Sequence, residues 1–420
     1  MSRQQPPILR LRKKHVPDDI VLDILLRLPV KSLLRFRCVS KSWYSQITSS
    51  NFMSSHLNNM LTHNDNHDDH GYVIHIPSCN SLYMNSFSSL NGQVCTVACD
   101  RTFEKMYELR IPFTFHSGFA HLVGSCNGIL CLTDYRTNRH SVLNDVFLWN
   151  PSIRMFKRLS GTCFKRKRLR DFQLGFAYHS QNNDFKVVRI SKHFRNDKYP
   201  PEVEVYTLSS DSWKRIELGI PWRPNVLIYN FNCGFSFPFV SGHLHWLLDM
   251  IEGSGQHKYR SDMILSFDVN SEKFREIPLP DDDSFKGINF AKCLTMFKEK
   301  LALIQFQGCL QPRVTVCFVW VMKEYGVPES WNKLYEVPIE NLTIFGGFTK
   351  YGTLIIRTNS GLVEGLEEED KFVSIDPKTL HEQDISIQLN YPLDVATFDV
   401  STAAYMENLA LLDGANVVSY

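Results

Sequence analysis

Five cations fall within the six positions 165–170: Lys165, Arg166, Lys167, Arg168 and Arg170, interrupted only by Leu169. Such a density repels itself unless an anion lies nearby, so the tract suits a phosphate or an acidic patch on another protein. A solvated loop is the equal alternative, and nucleic-acid binding through the same residues is a further, less favoured one. His63, His67 and His70 are interspersed with Asp65, Asp68 and Asp69 at spacings that would hold a metal on a helix. They sit in a polar stretch with nothing apolar to support that helix, so no metal site is assigned. Asp281, Asp282 and Asp283, and the run Glu367, Glu368, Glu369 and Asp370, read as acidic turns that keep loops solvated. Were they part of a binding surface bearing both signs, charge would serve partner selection more than affinity. Trp149, Trp213, Trp246, Trp320 and Trp331 recur in strand-like phrases, where packing outweighs an aromatic recognition surface as the reading. No nucleophile elbow, phosphate-binding loop or HExxH helix occurs. No catalytic residue, metal or cofactor is therefore assigned, and the chain reads as a non-enzyme.

Composition limits the partners further. The 420 residues, 43% hydrophobic and 21% charged, suffice for one small and one large globular domain. A net charge of +2 provides no whole-chain attraction to nucleic acid or to a membrane. Eleven cysteines without a CxxC pair suggest reduced thiols. Arg10, Arg12, Lys13 and Lys14 read as a solvated basic tail, with nuclear import as the alternative. No apolar run approaches the length of a membrane span, so a soluble protein of the cytoplasm, the nucleus or both is expected.

The elements that would position these residues begin with residues 16–56. Pro17 suits a helix start, Asp18 and Asp19 place negative charge in the first turn, and Ile20, Ile24, Leu25 and Leu28 recur at helical spacing before Pro29 ends the run. A second short helix carries Leu33, Leu34, Phe36 and Val39, and Ser40 can cap a third bearing Trp43, Tyr44 and Ile47. So small a unit cannot cover its own apolar surface and needs a partner to complete its core.

Its text, VPDDIVLDILLRLPVKSLLRFRCVSKSW, resembles the F-box of plant F-box proteins, whose pattern is LPxDhxxxIhxRLPhxSLhRFRxVxKxW with h apolar; only Val16 departs notably, standing where Leu is usual. The resemblance implies docking on the Skp-type adaptor of a cullin ubiquitin ligase through Pro17, Ile20, Leu25, Leu28, Pro29, Leu33 and Leu34, although in so small a unit core and interface residues are hard to separate. The expected organisation is a basic tail over 1–14, a three-helix F-box over 15–57, a polar linker over 58–71 and a large all-β domain over 72–420.

Two phrases repeat through that large domain. The first is a polar or Gly-containing turn before an apolar strand: SCNGILCL, VSGHLHWLL, FKEKLALIQF, TKYGTLIIRT and YMENLALL. The second is an apolar strand, a polar turn and a bulky anchor: DVFLWNPSIRMFKRL, MILSFDVNSEKFREIPL, VCFVWVMKEYGVPESWNKLYEV and KFVSIDPKTLHEQDISI; a further unit, LGFAYHSQNNDFKVVRI with VEVYTLSSDSWKRIEL, lies between the first two. Repeats of this length cannot bury their faces alone and stack on one another. Five units are legible, and YMENLALL lacks its second phrase. The early runs YVIHI, SLYMNSF and VCTVA would complete a sixth unit and close a six-bladed propeller, with five or seven blades or an open stack as alternatives.

The phrases GSCNGILCL, LWNPSIR, GFAYHSQNNDFKVVRI, VEVYTLSSDSWK, LSFDVNSEKFREIPLP and VWVMKEYGVPESW resemble the F-box-associated domain of plant F-box/kelch-type proteins. That family includes regulators of plant defence and pollen F-box proteins of self-incompatibility. The resemblance implies a kelch-type β-propeller and a substrate-recognition role in a Skp-cullin-F-box ubiquitin ligase, with an unidentified protein target. The competing readings are a propeller metalloenzyme and a binder of nucleic acid or another anionic partner.

Overall fold

The computed structural model describes residues 16–63, 72–79, 94–115, 120–134, 145–159, 161–163, 169–193, 199–222, 226–228, 237–252, 259–280, 291–308, 314–359, 370–385, 398–410 and 417–419. The chain divides into two compact units, residues 1–69 and 70–420.

The first unit is helical: α1 (Asp18–Leu26), α2 (Val30–Phe36), α3 (Lys41–Ile47) and α4 (Ser50–His63). Pro17 and Pro29 occupy the N-cap positions of α1 and α2, and the Ser40 hydroxyl accepts from the Trp43 amide to cap α3. Four helices stand where three were expected: α4 begins at Ser50, within the expected F-box span, and runs to His63, into the stretch expected as linker. That fourth helix closes the bottom of the unit. His56 donates from Nε2 to the Leu28 carbonyl at 3.0 Å, and Asn59 donates to the Leu26 carbonyl at 3.0 Å. Both satisfy carbonyls left without partners where α1 ends.

The second unit begins with β1 (Tyr72–Cys79), β2 (Val94–Cys99) and β3 (Lys105–Arg110). Blade 1 follows as β4 (Ala120–Cys126), β5 (Ile129–Asp134), β6 (Val146–Asn150) and β7 (Met155–Arg158), and blade 2 as β8 (Leu169–His179), β9 (Asp184–His193), β10 (Glu202–Thr207) and β11 (Ser212–Ile216). Blade 3 contains β12 (Val226–Ile228), β13 (Phe239–Val240), β14 (His243–Glu252), β15 (Tyr259–Asp268) and β16 (Lys273–Pro278). Blade 4 is β17 (Ala291–Phe297), β18 (Lys300–Gly308), β19 (Val314–Met322) and β20 (Trp331–Glu340); blade 5 is β21 (Leu342–Phe348), β22 (Leu354–Asn359), β23 (Asp370–Ile375) and β24 (Glu382–Ile385). Finally β25 (Phe398–Tyr405) pairs with β1, and β26 (Val417–Ser419) pairs with β7.

Six antiparallel sheets result. Innermost strands succeed one another around an axis: β25 lies beside β4, β4 beside β8, β17 beside β21 and β21 beside β25. In blade 3 the inner strand is split, β12 and β13 pairing with opposite ends of β14, so β14 itself touches β8 and β17. The ring is therefore a closed six-bladed propeller. Its sixth blade joins both ends of the unit, β25 supplying the inner strand and β1, β2 and β3 the rest.

Closure follows the expected principle, with YVIHI in β1 and VCTVA in β2, but its inner strand differs. YMENLALL is not the closing strand; only Tyr405 belongs to β25, and the residues after it form a tether against blade 1. The third described strand from the N-terminal side is β3; SLYMNSF lies outside the described residues.

The repeated phrases map onto two turns. Between first and second strands, tight turns carry left-handed residues: Asn127 and Gly128 (φ 45 and 77), Ser241 and Gly242 (φ 51 and 77), Lys298 and Glu299 (φ 47 and 64). This is the backbone that two-residue hairpins require. Between third and fourth strands, Phe103, Arg154, Asp211, Glu272 and Leu380 each have φ between 47 and 58. The polar residue ending the third strand accepts from the amide two positions on: Asn150 from Ser152 (3.0 Å), Asp268 from Asn270 (2.9 Å) and Asp376 from Lys378 (2.8 Å). Because strands alternate in direction, these two kinds of turn share one face of the ring. The connections between second and third strands, and from each fourth strand to the next blade, leave from the opposite face, called here the loop face.

Apolar clusters fill the seams between blades. Trp149 packs with Ile74, Val97 and Leu132 between blades 6 and 1, and Trp246 with Val188, Val205 and Phe267 between blades 2 and 3. The seam between blades 5 and 6 has a smaller cluster of Phe103, Ile355, Phe372 and Ile385. Gly175 of β8 admits the neighbouring blade: a Cβ there would lie 2.7 Å from the Trp246 ring.

Candidate functional site

In the helical unit, the residues assigned to adaptor docking divide by burial. Leu25 is 1% exposed and Leu33 is 0% exposed, and both lie in the core beside Val30, Ile47, Phe52 and Leu57. This corrects the expectation that these two residues make the contact: they hold α1 and α2 in place from inside. Pro17, Ile20 and Pro29 are exposed, while Leu28 and Leu34 are half-buried. Sequence reasoning left out Val16, Ile24, Val39 and Tyr44, each at least half exposed. Ile20 and Ile24, one turn apart, make an exposed apolar stripe along α1, and Val16 is exposed just before its N-cap. That spacing was readable in the sequence. What was missing was which side of the helix meets α4.

Ring contacts join α2 to α3. Phe36 and Trp43 meet edge to face at 5.4 Å, and the Arg37 guanidinium lies 5.0 Å from the ring centre of the exposed Tyr44. Burial lowers the pKa of His56, against the opposing effect of its bond to Leu28, so the ring that braces α1 is neutral near pH 7. Exposed apolar groups on a fixed frame can bind another apolar surface without reorganising.

In the propeller, Trp149 and Trp246 are fully buried, and Trp320 is 8% exposed. Trp331 donates from Nε1 to the Pro278 carbonyl at 3.1 Å, and Trp213 lies 4.3 Å from the Arg189 guanidinium. The tryptophans thus serve packing between and within blades rather than a shared recognition surface. Lys165, Arg166, Lys167 and Arg168 lie outside the described residues; Arg170 is in β8, in register with Lys192 of β9. The cluster of His67, His70, Asp65, Asp68 and Asp69 also lies outside them, as do Asp281, Asp282, Asp283, Glu367, Glu368 and Glu369. Among the described residues, no group of three or more His, Cys, Asp or Glu side chains is placed to hold a metal, and no helix is long and apolar enough to cross a membrane.

Four seams carry a polar lock of common design, in which the turn between third and fourth strands reaches the preceding blade. Asp211 pairs with the buried Lys157 at 2.9 Å, and Glu272 accepts from the buried Lys186 at 2.9 Å. Tyr325 meets His245 at 2.8 Å and Ser266 at 2.9 Å, and Asp100 accepts from the Lys350 amide at 3.1 Å. The phrase VWVMKEYGVPESW belongs to this scaffold, since Tyr325 and Trp331 both anchor blade 4 on blade 3. One further buried pair stands at the start of the basic tract. Arg189 donates to Glu204 Oε1 at 2.7 Å, while Thr162 Oγ1 and the Cys163 amide donate to Oε2 at 2.8 and 2.9 Å.

Comparison with known proteins agrees with this architecture. A model of the F-box domain matches residues 14–55, and one of the F-box associated beta propeller domain matches residues 89–391. The chain is similar to F-box protein At3g07870 of Arabidopsis thaliana, 29% identical over 77% of this chain and 73% of that protein. It is also similar to F-box protein CPR1 (28%; 77% of this chain, 73% of that protein) and F-box/kelch-repeat protein At3g23880 (28%; 77% and 80%) of the same plant.

Proposed function

We propose, from the premise that this chain belongs to the F-box associated beta propeller domain family, that it is the substrate-recognition subunit of a Skp-cullin-F-box ubiquitin ligase. The helical unit docks on a Skp-type adaptor and through it on a cullin, and the propeller holds a protein target for ubiquitination and degradation. The observation that carries this reading is the exposed apolar surface of Ile20 and Ile24 on α1, with Val16 just before it, on a unit whose own core is already closed by Leu25, Leu33 and Ile47. Burying such side chains against a partner is worth roughly 25 cal/mol per Å² of apolar area.

No side chain of this chain need act chemically. Holding a target lysine near a ubiquitin thioester raises its effective concentration, which alone accelerates transfer. The chain's work is then to bind two partners at once.

Adaptor capture tests the docking surface. Ile20→Asp with Ile24→Asp should abolish co-purification of a Skp-type adaptor while the melting of the propeller is unchanged. Leu28→Glu with Pro29→Gly should have the same effect. Undiminished capture by both pairs would refute the assigned face.

A further inference from the structure

We propose that the propeller face holding the tight turns is, over blades 4, 5 and 6, a docking site for a segment of the target protein in which an acidic side chain stands among apolar ones. This inference rests on the substrate-receptor reading above and names the chemistry of what is received.

Three blades each bring one cation to a single turn. The turn between β21 and β22 is closed on itself: the Thr349 amide donates to the Thr353 carbonyl and the Gly352 amide to the Thr349 carbonyl, both at 2.9 Å. It exposes Lys350 and Tyr351. Arg101, from the turn between β2 and β3 of blade 6, holds its guanidinium carbon 5.6 Å from the centre of the Tyr351 ring, and the Lys350 ammonium lies 5.9 Å from the same point. Lys298, from the turn between β17 and β18 of blade 4, lays its stem against Gly352, where a Cβ would fall 2.6 Å from Lys298 Cε. With φ at +87, that position suits glycine twice over.

Among the described residues, the side chains of Arg101, Lys298 and Lys350 meet aromatic rings and have no carboxylate within ion-pair distance. Two other seams show the contrast. Lys157 and Lys186 are buried and paired with Asp211 and Glu272, whereas here the acid of the turn, Asp100, accepts from the Lys350 amide and leaves the ammonium outside.

The second observation is apolar. Six large hydrophobic side chains are exposed among the described residues of the propeller, and four of them, Met106, Met296, Tyr351 and Leu380, stand at turns or strand ends of this face in blades 4, 5 and 6. Exposed apolar surface is thus concentrated on the blades that carry the unpaired cations. Methionine, tyrosine and arginine together are the composition of a protein-binding surface. The sign and size of the ligand charge follow from the neighbouring acids. Glu104 and Glu299 are exposed next to these turns, and Asp100 is buried at one of them. They limit the positive potential, so the patch suits an isolated carboxylate better than a dianionic phosphate or a polyanionic duplex.

The test uses the full chain, fluorescence anisotropy and four labelled probes: a peptide of Ser, Leu and Glu residues, its counterparts with Gln or phosphoserine in place of Glu, and a mixed-sequence DNA duplex. The expected result is saturable binding of the Glu peptide that weakens with salt and exceeds that of the other three. Arg101→Gln with Lys350→Gln should weaken it about three- to tenfold, with adaptor capture and melting unchanged. Arg154→Gln with Lys273→Gln removes the same charge from blades 1 and 3 and should leave binding as it was. Tyr351→Ala with Leu380→Asn tests the apolar part and should also weaken binding; asparagine accepts the left-handed backbone at Leu380 (φ 58). Absence of Glu-peptide binding at low salt, Gln, phosphoserine or DNA probes bound as tightly, or equal losses in the blade 1 and 3 variant would overturn the proposal, as would unchanged binding by the other two variants. Failure of the wild-type chain to capture adaptor would instead sink the receptor reading and leave the peptide result standing.

Discussion

The Tyr325 hydroxyl donates to His245 Nε2 at 2.8 Å across the seam between blades 3 and 4. The direction follows from the other ring nitrogen: Nδ1 faces the Pro238 carbonyl at 3.1 Å and must carry the proton. Ser266 then completes the chain by donating to the Tyr325 oxygen at 2.9 Å. Tyr325→Phe leaves two buried polar atoms unsatisfied, which should cost about 1–3 kcal/mol. Chemical denaturation would show it as a lower midpoint with an unchanged slope. An unaltered midpoint would mean that the contact is dispensable.

Neutral histidines also determine the acid limb of stability. Burial depresses His245 to about 3 and His75 to about 4. A depressed histidine binds its proton more readily in the unfolded chain, so its contribution is present above about pH 6.5 and is lost as the pH falls towards those values. Each such ring adds a slope of ~1.4 kcal/mol per pH unit near pH 5. Melting temperatures from pH 8 down to pH 4.5 would reveal it, and a flat profile would contradict the neutral-ring assignment.

Asp100 acts with the opposite sign. Burial raises its carboxyl to about 6, against the favourable Lys350 amide. Its contribution is complete below the ordinary carboxylate range and is lost as the pH rises through about 6. Asp100→Asn keeps an acceptor for Lys350 and removes the buried charge, so it should stabilise the protein at pH 7 by about 1–3 kcal/mol. It should also steepen the acid limb, because the histidine slope is then unopposed. A lower melting temperature for this variant at pH 7 would show that the charge is needed at the seam.

Gly175 tests how closely the blades pack. A methyl group there would lie 2.7 Å from Trp246 and 2.9 Å from Leu244, neither of which has room to retreat in a fully buried seam. Gly175→Ala should destabilise by about 1–3 kcal/mol. Gly161, with no atom within 4 Å of the same added group, should tolerate alanine and serves as the control.

The tether after the closing strand is the last device open to test. Asn150 is completely buried and donates to the carbonyls of Asn408 at 3.2 Å and Ala410 at 2.9 Å, while Ser152 meets the Tyr405 hydroxyl at 2.7 Å. Asn150→Asp keeps the oxygen that accepts from Ser152 but loses both donors and adds a buried charge. It should loosen the join between the two chain ends, and hydrogen exchange at β25 and β1 should accelerate before exchange at β14 and β15 does. Uniform acceleration would show that the join is no weaker than the other seams.

Local patterns, which need only neighbours along the chain, were legible in the sequence. The helical spacing of Ile20 and Ile24, the Asn127–Gly128 turn and the polar residues at the ends of three third strands, Asn150, Asp268 and Asp376, all point to their structures, because helical and strand periods and turn geometry are short-range properties. They were enough for an F-box-like unit and a ring of repeats. Tertiary structure decided what depends on distant partners. Helical spacing marks both Ile20 and Leu25 as apolar, yet only packing against α4 turns one out to solvent and the other into the core. Likewise, Phe398–Tyr405 carries no local mark of closure. It becomes the closing strand because β1, more than three hundred residues earlier, pairs with it from Tyr72 opposite Tyr405 to Cys79 opposite Phe398.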